Sequence, residues 1–285
     1  MVLSLAIITA LLPATVADAQ ALQSGPNAGD AYEITMIREA SQRGSDESSS
    51  NSYDKDTLIE RVIGIRTDGL ELEYDLPADS KDRSSTWQFP ARVFKPRSGP
   101  LQLANRPELE SRLDDWLKGA NWTREMCGRW IFTWNAFRIE CDPQSAIQSI
   151  EAFDLSSANI SEGAAYRATN ALASGTLTKT PARAGDHLTL TTVMDVDPEA
   201  VRHARAESDV AVGEIMRKPV TLDAALRDRA KEAISGTISV TFEMDSAGNV
   251  SRRTTVTKIE TKKADGSSET QTDTQTLERK RLARS

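Results

Sequence analysis

The groups able to do chemistry in this chain are its 42 carboxylates, two histidines, two cysteines and a knot of aromatic rings. All five tryptophans, Trp87, Trp116, Trp122, Trp130 and Trp134, fall in one short part of the sequence. With Phe89, Phe94, Phe132 and Phe137 they hold nine of the fifteen aromatic residues. Flat rings stack on sugars and bury apolar ligands, so Trp116, Trp122, Trp130 and Trp134 are the candidate ligand contacts. Trp122 and Trp134 sit near predicted turns, where a ring is most readily exposed. The plainer use of these rings is to fill the main core around the cysteines, and we favour it.

His187 and His203 each have a carboxylate neighbour, Asp186 or Glu199. Their spacing to Asp195 and Asp197 matches no established ligand pattern, so we read them as surface partners and expect no metal and no cofactor. Asp245-Ser-Ala-Gly-Asn249 opens like a calcium loop but lacks the closing bidentate glutamate, and a hairpin turn explains it better. No Gly-x-Ser-x-Gly elbow, His-Glu-x-x-His, Cys-x-x-Cys or phosphate-binding glycine loop is present, so no catalytic residue is nominated. Two carboxylates suffice for glycoside hydrolysis, yet nothing in the spacing singles out a pair.

Residues 1–19 read as a signal peptide: an apolar run from Val2 to Leu12, Pro13, then Ala17-Asp18-Ala19 before a cleavage point at Gln20. Residues 20–30 are small and polar, a flexible leader. No later segment approaches the roughly 18 apolar residues of a membrane helix, so no membrane span is expected. In an exported chain Cys127 and Cys141 are expected to pair. They lie 14 positions apart, roughly 46 Å if fully extended, whereas bonded cysteines have Cα atoms about 5.5 Å apart. The chain must therefore double back, with a turn at Thr133 to Asn135, and closing so short a loop stabilises by on the order of 3 kcal/mol.

The elements that position these groups follow from composition and period. An apolar content of 39% can supply a core, and a net charge of -7 with no basic stripe excludes nucleic acid as a partner. Ile238, Val240, Phe242 and Met244 alternate with polar residues, the period of a strand with one buried face. Asp265-Gly266 predicts a two-residue hairpin turn, which sets Lys262 against Glu269, Lys258 against Asp273 and Arg253 against Glu278. It also aligns Thr255, Thr257 and Thr261 with Thr276, Thr274 and Thr270. That ladder has the regularity of an ice-binding array, although a solvated sheet face is the simpler account. Asp68-Gly69 predicts a second such turn, setting Ile65, Ile63 and Ile59 on an apolar face. Tyr32 to Ile37 reads as the first strand, the serine-rich Ser41 to Asn51 as a flexible loop, and Trp87 to Lys95 as a strand that Pro90 pushes towards an edge. Helices are expected from Asn105 to Gly119, after Asp142-Pro143, from Asp197-Pro198 to Pro219, and from Thr221 through Ile234.

Together these define an α+β fold, dominated by a long-stranded, curved antiparallel sheet with three to four helices on one face. It forms a single domain over residues 31–285, with possible halves 31–103 and 155–285 joined by the 104–154 helix and disulfide segment.

Trp87-Gln-Phe-Pro90, Cys127-Gly-Arg-Trp130 and Glu140-Cys-Asp-Pro143, with the leader and the lone cysteine pair, resemble uncharacterised exported (periplasmic) proteins of Gram-negative bacteria. The resemblance implies export and brings no activity. The long strands are also similar in style to those of periplasmic lipoprotein carriers, which shelter acyl chains on a curved sheet; this carries over no site residues. The expected function is a non-enzymatic exported protein that binds a small apolar or glycan ligand, or an envelope protein, through its curved sheet. The alternative is a periplasmic glycan-directed hydrolase with paired carboxylates near the tryptophans.

Overall fold

The alternation of apolar and polar residues that runs through the sequence folds, in the computed structural model of the protein, into one broad antiparallel sheet. The structure describes residues 26–132, 136–155, 160–180, 188–245 and 248–283. The expected signal peptide, most of the leader, Trp134 and His187 lie outside the described residues.

One arm of the sheet runs through β1 (Ala31–Gly44), β2 (Ser49–Arg66), β3 (Gly69–Asp75), β4 (Ala91–Pro96) and β5 (Gln102–Leu103). Helix α1 (Arg106–Gly119) follows, then a hairpin of β6 (Trp130–Phe132) and β7 (Ala136–Arg138), helix α2 (Ser145–Ala152), and a short pair, β8 (Ala165–Tyr166) with β9 (Gly175–Thr176). The second arm adds β10 (Thr178–Lys179) and β11 (Thr189–Asp195), helices α3 (Pro198–Ile215) and α4 (Leu222–Arg229), then β12 (Ala233–Met244), β13 (Val250–Lys262) and β14 (Ser268–Arg281). The arms meet where β14 pairs with β1, from Tyr32 opposite Arg281 to Gly44 opposite Glu269. Strand makes up 44% and helix 23%, with four helices among the described residues, so the α+β, sheet-dominated architecture is as expected. Two-residue strands, β5 and β10, finish the sheet at its two ends, a form of edge that offers little to an incoming chain.

Residues opposite each other on antiparallel strands share a face, and one face is apolar at both ends. On the first arm Ile34, Met36, Leu58, Val62, Leu72 and Val93 meet Leu109, Leu113 and Leu117 of α1 and Ile150 of α2. On the second, Ile238, Val240, Phe242 and Met244 of β12 meet Leu190, Leu177 and Val201 of α3. Leu109 and Leu113 are wholly buried, and each such side chain contributes roughly 1.5–3 kcal/mol. Pro107 stands in the first turn of α1, but Asn105 does not cap it; its Oδ1 accepts from the Arg92 N–H (2.8 Å), which ties the helix to β4. Asp197 does cap α3, accepting from Glu199 N (2.9 Å), and Thr221 caps α4. Cys127 and Cys141 are bonded, with Cα atoms 5.6 Å apart, across the β6–β7 hairpin.

Four local expectations are corrected. Asp265-Gly266 lies in a three-residue loop: Lys263 N–H donates to Ser267 O (2.9 Å) and Gly266 alone takes a positive φ of 85°. The type I′ turn that an Asp-Gly pair signals needs positive φ at both positions; Asp265 instead accepts from the N–H and hydroxyl of Ser267 (2.9 and 2.7 Å). The register slips by one, so that Thr257 faces Asp273 and Thr261 faces Glu269. A slip of one residue exchanges faces, and it divides the threonine ladder between the two sides of the sheet.

Asp68-Gly69 is likewise displaced. Arg66 faces Gly69, and a bulge between Val62 and Gly64 resets the pairing. Leu58, Ile59, Glu60 and Val62 are buried, whereas Ile63 and Ile65 are 46% and 54% exposed, with Ile65 opposite Leu70 beyond the bulge. Gly69 serves close approach rather than the turn, since a Cβ there would come within 2.3 Å of the Lys95 carbonyl oxygen. Ser41 to Asn51 is no flexible loop: it is the tip of the β1–β2 hairpin, with Arg43 opposite Ser49. Ile234 belongs to β12, where it faces Thr261, rather than to the preceding helix.

Candidate functional site

The observed register lays three lines of side chains across the middle of the covered face. Phe242, Arg253, Leu277, Met36 and Asp56 form the first. Val240, Thr255, Gln275, Arg38 and Asp54 form the second, and Ile238, Thr257, Asp273, Ala40 and Ser52 the third. Each begins on the apolar β12, but the second and third turn polar from β13 onwards. The sheet thus carries a polar strip between its two apolar ends, and over that strip lies a hollow of about 510 Å³.

The strip forms the floor of the hollow, with Arg253, Thr255, Thr257, Asp273 and Gln275 among its residues. Its wall comes from Tyr166 and residues 168–170. Tyr166 is set edge-on against Phe242, ring centres 5.1 Å apart at 78°. Asn170 takes a left-handed φ of 62°, which asparagine tolerates better than most residues, and its carbonyl accepts from Asp197 N (2.7 Å) at the cap of α3. The wall is therefore anchored to both β12 and α3.

Electrostatically the hollow is mixed. Arg38 Nη1 donates to both Asp54 (3.2 Å) and Asp56 (3.3 Å), and Arg253 donates to the Asp154 carbonyl (3.4 Å). Burial raises the pKa of Asp56, and the neighbouring Asp54 adds to the effect against the pull of Arg38. Burial also raises the pKa of Asp273, opposed only by a hydrogen bond from Gln271 Nε2 (2.8 Å).

Two further hollows lie along the same face. One of about 450 Å³ shares Arg38 with the first, and one of about 310 Å³ is lined by Tyr32, Ile34, Leu70, Leu72 and Phe153. In the last, Glu60 is buried and accepts from Tyr74 Oη (2.8 Å) and Arg279 Nη2 (2.6 Å), and the Arg279 guanidinium lies 3.3 Å from the Tyr32 ring centre. Burial next to the Glu60 carboxylate pushes the Tyr74 pKa well up.

Trp116 and Trp122 meet edge-on, 5.5 Å apart, packed against the first core. Trp116 donates to the Ser85 carbonyl (3.0 Å). Trp130 turns away to donate to Glu214 of α3 (2.8 Å). Among the described residues no tryptophan lines the hollow on the polar strip. His203 pairs with Glu207 on the surface of α3 (3.3 Å), and no cluster of three or more potential metal ligands occurs among the described residues. Asp245 N–H donates to Asn249 O (2.8 Å) where β12 and β13 pair antiparallel; Ser246 and Ala247 of this segment lie outside the described residues.

The floor residues escaped the sequence reading because their faces depend on a register one residue from the expected one. A Ser-x-x-Lys spacing does occur, at Ser52-Tyr-Asp-Lys55. Ser-x-x-Lys places nucleophile and base together on a helix, whereas in β2 a spacing of three sends Ser52 and Lys55 to opposite faces.

No protein-family model and no curated protein matches the chain. A solved structure described as lipid-protein interactions in lipovitellin overlaps 88% of this chain and 25% of that one, at 8% identity and a TM-score of 0.37. The chain thus spans about a quarter of that protein's length, and similarity at this level carries no argument about function. No helix among the described residues is long and apolar enough to cross a membrane.

Proposed function

We propose that this is an exported, non-catalytic binding protein of the bacterial envelope that takes a ligand, or a segment of an envelope partner, on the covered face of its sheet. The observation that carries the reading is the series of hollows running along that face between two separate covers. The disulfide is in keeping with folding in an oxidising compartment, and the apolar run with Ala17-Asp18-Ala19 at the start of the sequence is in keeping with export. Native mass spectrometry of protein purified from the periplasm, with mild elution, is the test. A co-purifying small molecule or protein is the expected result; bare protein under conditions that preserve known complexes would overturn it.

A second reading has one observation in its favour. Asp56 and Asp273 both have pKa values raised by burial, a property of acids that donate protons in glycoside hydrolysis. Turnover of peptidoglycan or oligosaccharides that is lost in Asp56→Asn or Asp273→Asn would establish a glycan-directed hydrolase. A screen without turnover would dismiss it.

A further inference from the structure

We propose that the hollow on the polar strip is a glycan site, in which a neutral, hydroxyl-rich sugar chain lies over Thr255, Thr257, Asp273 and Gln275 with Tyr166 at its side. This deepens the binding reading above and rests on it. The floor combines carboxylate, amide, hydroxyl and guanidinium groups in one hollow. Sugar hydroxyls both donate and accept, so they satisfy such a mixture where an acyl chain would leave it unpaired.

Charge points the same way. Around the hollow Arg38 and Arg253 stand against Asp54 and Asp273 on the covered face, with Glu39 on the alternate face of β1, a near balance that suits an uncharged ligand rather than a strongly ionic one. Asp273 accepts one hydrogen bond, from Gln271, and an ionised carboxylate has room for several. Its neighbours across β1 and β2 are Ala40 and Ser52, too small to fill the space above it. The Tyr166 ring, fixed by Phe242, supplies the aromatic wall on which a sugar can pack. A volume of about 510 Å³ falls within the range of small-molecule sites.

The experiment is isothermal titration of the full chain with cellotetraose, chitotetraose and maltotetraose, with spermidine and laurate as comparators. At least one tetrasaccharide should bind. Thr257→Val and Asp273→Ala should each weaken that binding roughly tenfold or more, the effect of losing a hydrogen bond at a charged or buried site, with no loss of melting temperature. Val193→Thr, an exposed position opposite Ser239 on the reverse face, should leave it as it was. Spermidine binding in place of any sugar would overturn the proposal in favour of a cation site, and laurate alone in favour of an amphiphile site. Sugar binding that survives Thr257→Val but is lost in Trp122→Ala would move the site to the tryptophans and also overturn it. If none of the tetrasaccharides binds while native mass spectrometry still finds a ligand, the glycan inference fails and the binding function stands.

Discussion

The two ends of the sheet bury the same face by different means. Over β1–β4 the cover is apolar: α1 inserts three buried leucines, α2 adds Ala146 and Ile150, and Trp87 is buried among them. Over β11–β12 one helix residue, Val201, joins the core, while Val212 on the same helix and Met216 at its C-cap are 54% and 62% exposed. The apolar positions of α3 are therefore only partly used. Charge pairs hold that end instead: Arg229 bridges Asp209 of α3 (2.7 Å) and Glu232 (2.6 Å), and Arg205 reaches Glu269 at the start of β14 (3.1 Å). One end is covered by helix packing, the other adds ion pairs to its apolar cluster, and the two should answer differently to truncation, reduction and pH.

The largest effect is expected from the packed end. Leu113→Ala removes a wholly buried side chain and should cost about 2–5 kcal/mol, read as a lower midpoint in urea. Reduction of the Cys127–Cys141 bridge comes next, at about 3 kcal/mol for so short a loop; its signature is a loss of protection in the β6–β7 hairpin and α2 before β11–β12 opens. Equal loosening of both ends would argue that they form one cooperative unit.

At the charged end Arg229→Ala removes two ion pairs to partly buried acids and should cost about 1–3 kcal/mol, with hydrogen exchange rising first in α4. The pH dependence separates this end from the polar strip. A hydrogen bond from Arg229 lowers the Asp209 pKa, so its contribution is present above the unfolded carboxylate value, about 3.9, and fades as pH falls through the lower folded value. Burial raises the Asp273 pKa; its cost is felt above the folded value and is relieved as pH falls through it. Asp209→Asn should therefore lose stability at neutral pH. Asp273→Asn should be neutral or gain, and a loss there would mean that the hydrogen bond from Gln271 outweighs the cost of burial.

The contrast between the ends was only partly legible in the sequence. The period-two pattern of Ile238 to Met244 placed β12 and its buried face correctly, because burial and alternation agree there. The helix starts at Pro107 and Pro198 were legible because proline and the residues before it restrict the backbone directly. The polar strip was hidden, since on β13 and β14 both faces are polar and no hydrophobic pattern fixes the register. Turn chemistry alone decided it, and the Asp-Gly signal pointed to a turn one residue too short.

The smallest effect sharpens that lesson. The β1–β2 turn closes like the β13–β14 turn: Gly44 N–H donates to Ser48 O (2.9 Å), and Asp46 accepts from the Ser48 N–H (3.1 Å) and hydroxyl (2.6 Å). These bonds hold the Asp46 pKa down, as those from Ser267 do for Asp265. The tips adjoin through Ser45 N–H to Ser268 O (2.8 Å). They differ at the left-handed position, where one has Gly266 (φ 85°) and the other Glu47 (φ 67°). A side chain there costs about 1 kcal/mol, and the missing glycine is why this turn read as a structureless loop. Glu47→Gly should raise stability by up to about 1 kcal/mol, less whatever the freer unfolded chain takes back. The mirror change, Gly266→Glu, should lower it by a similar amount, and paired denaturation curves that fail to move in opposite directions would show that the two turns are not equivalent.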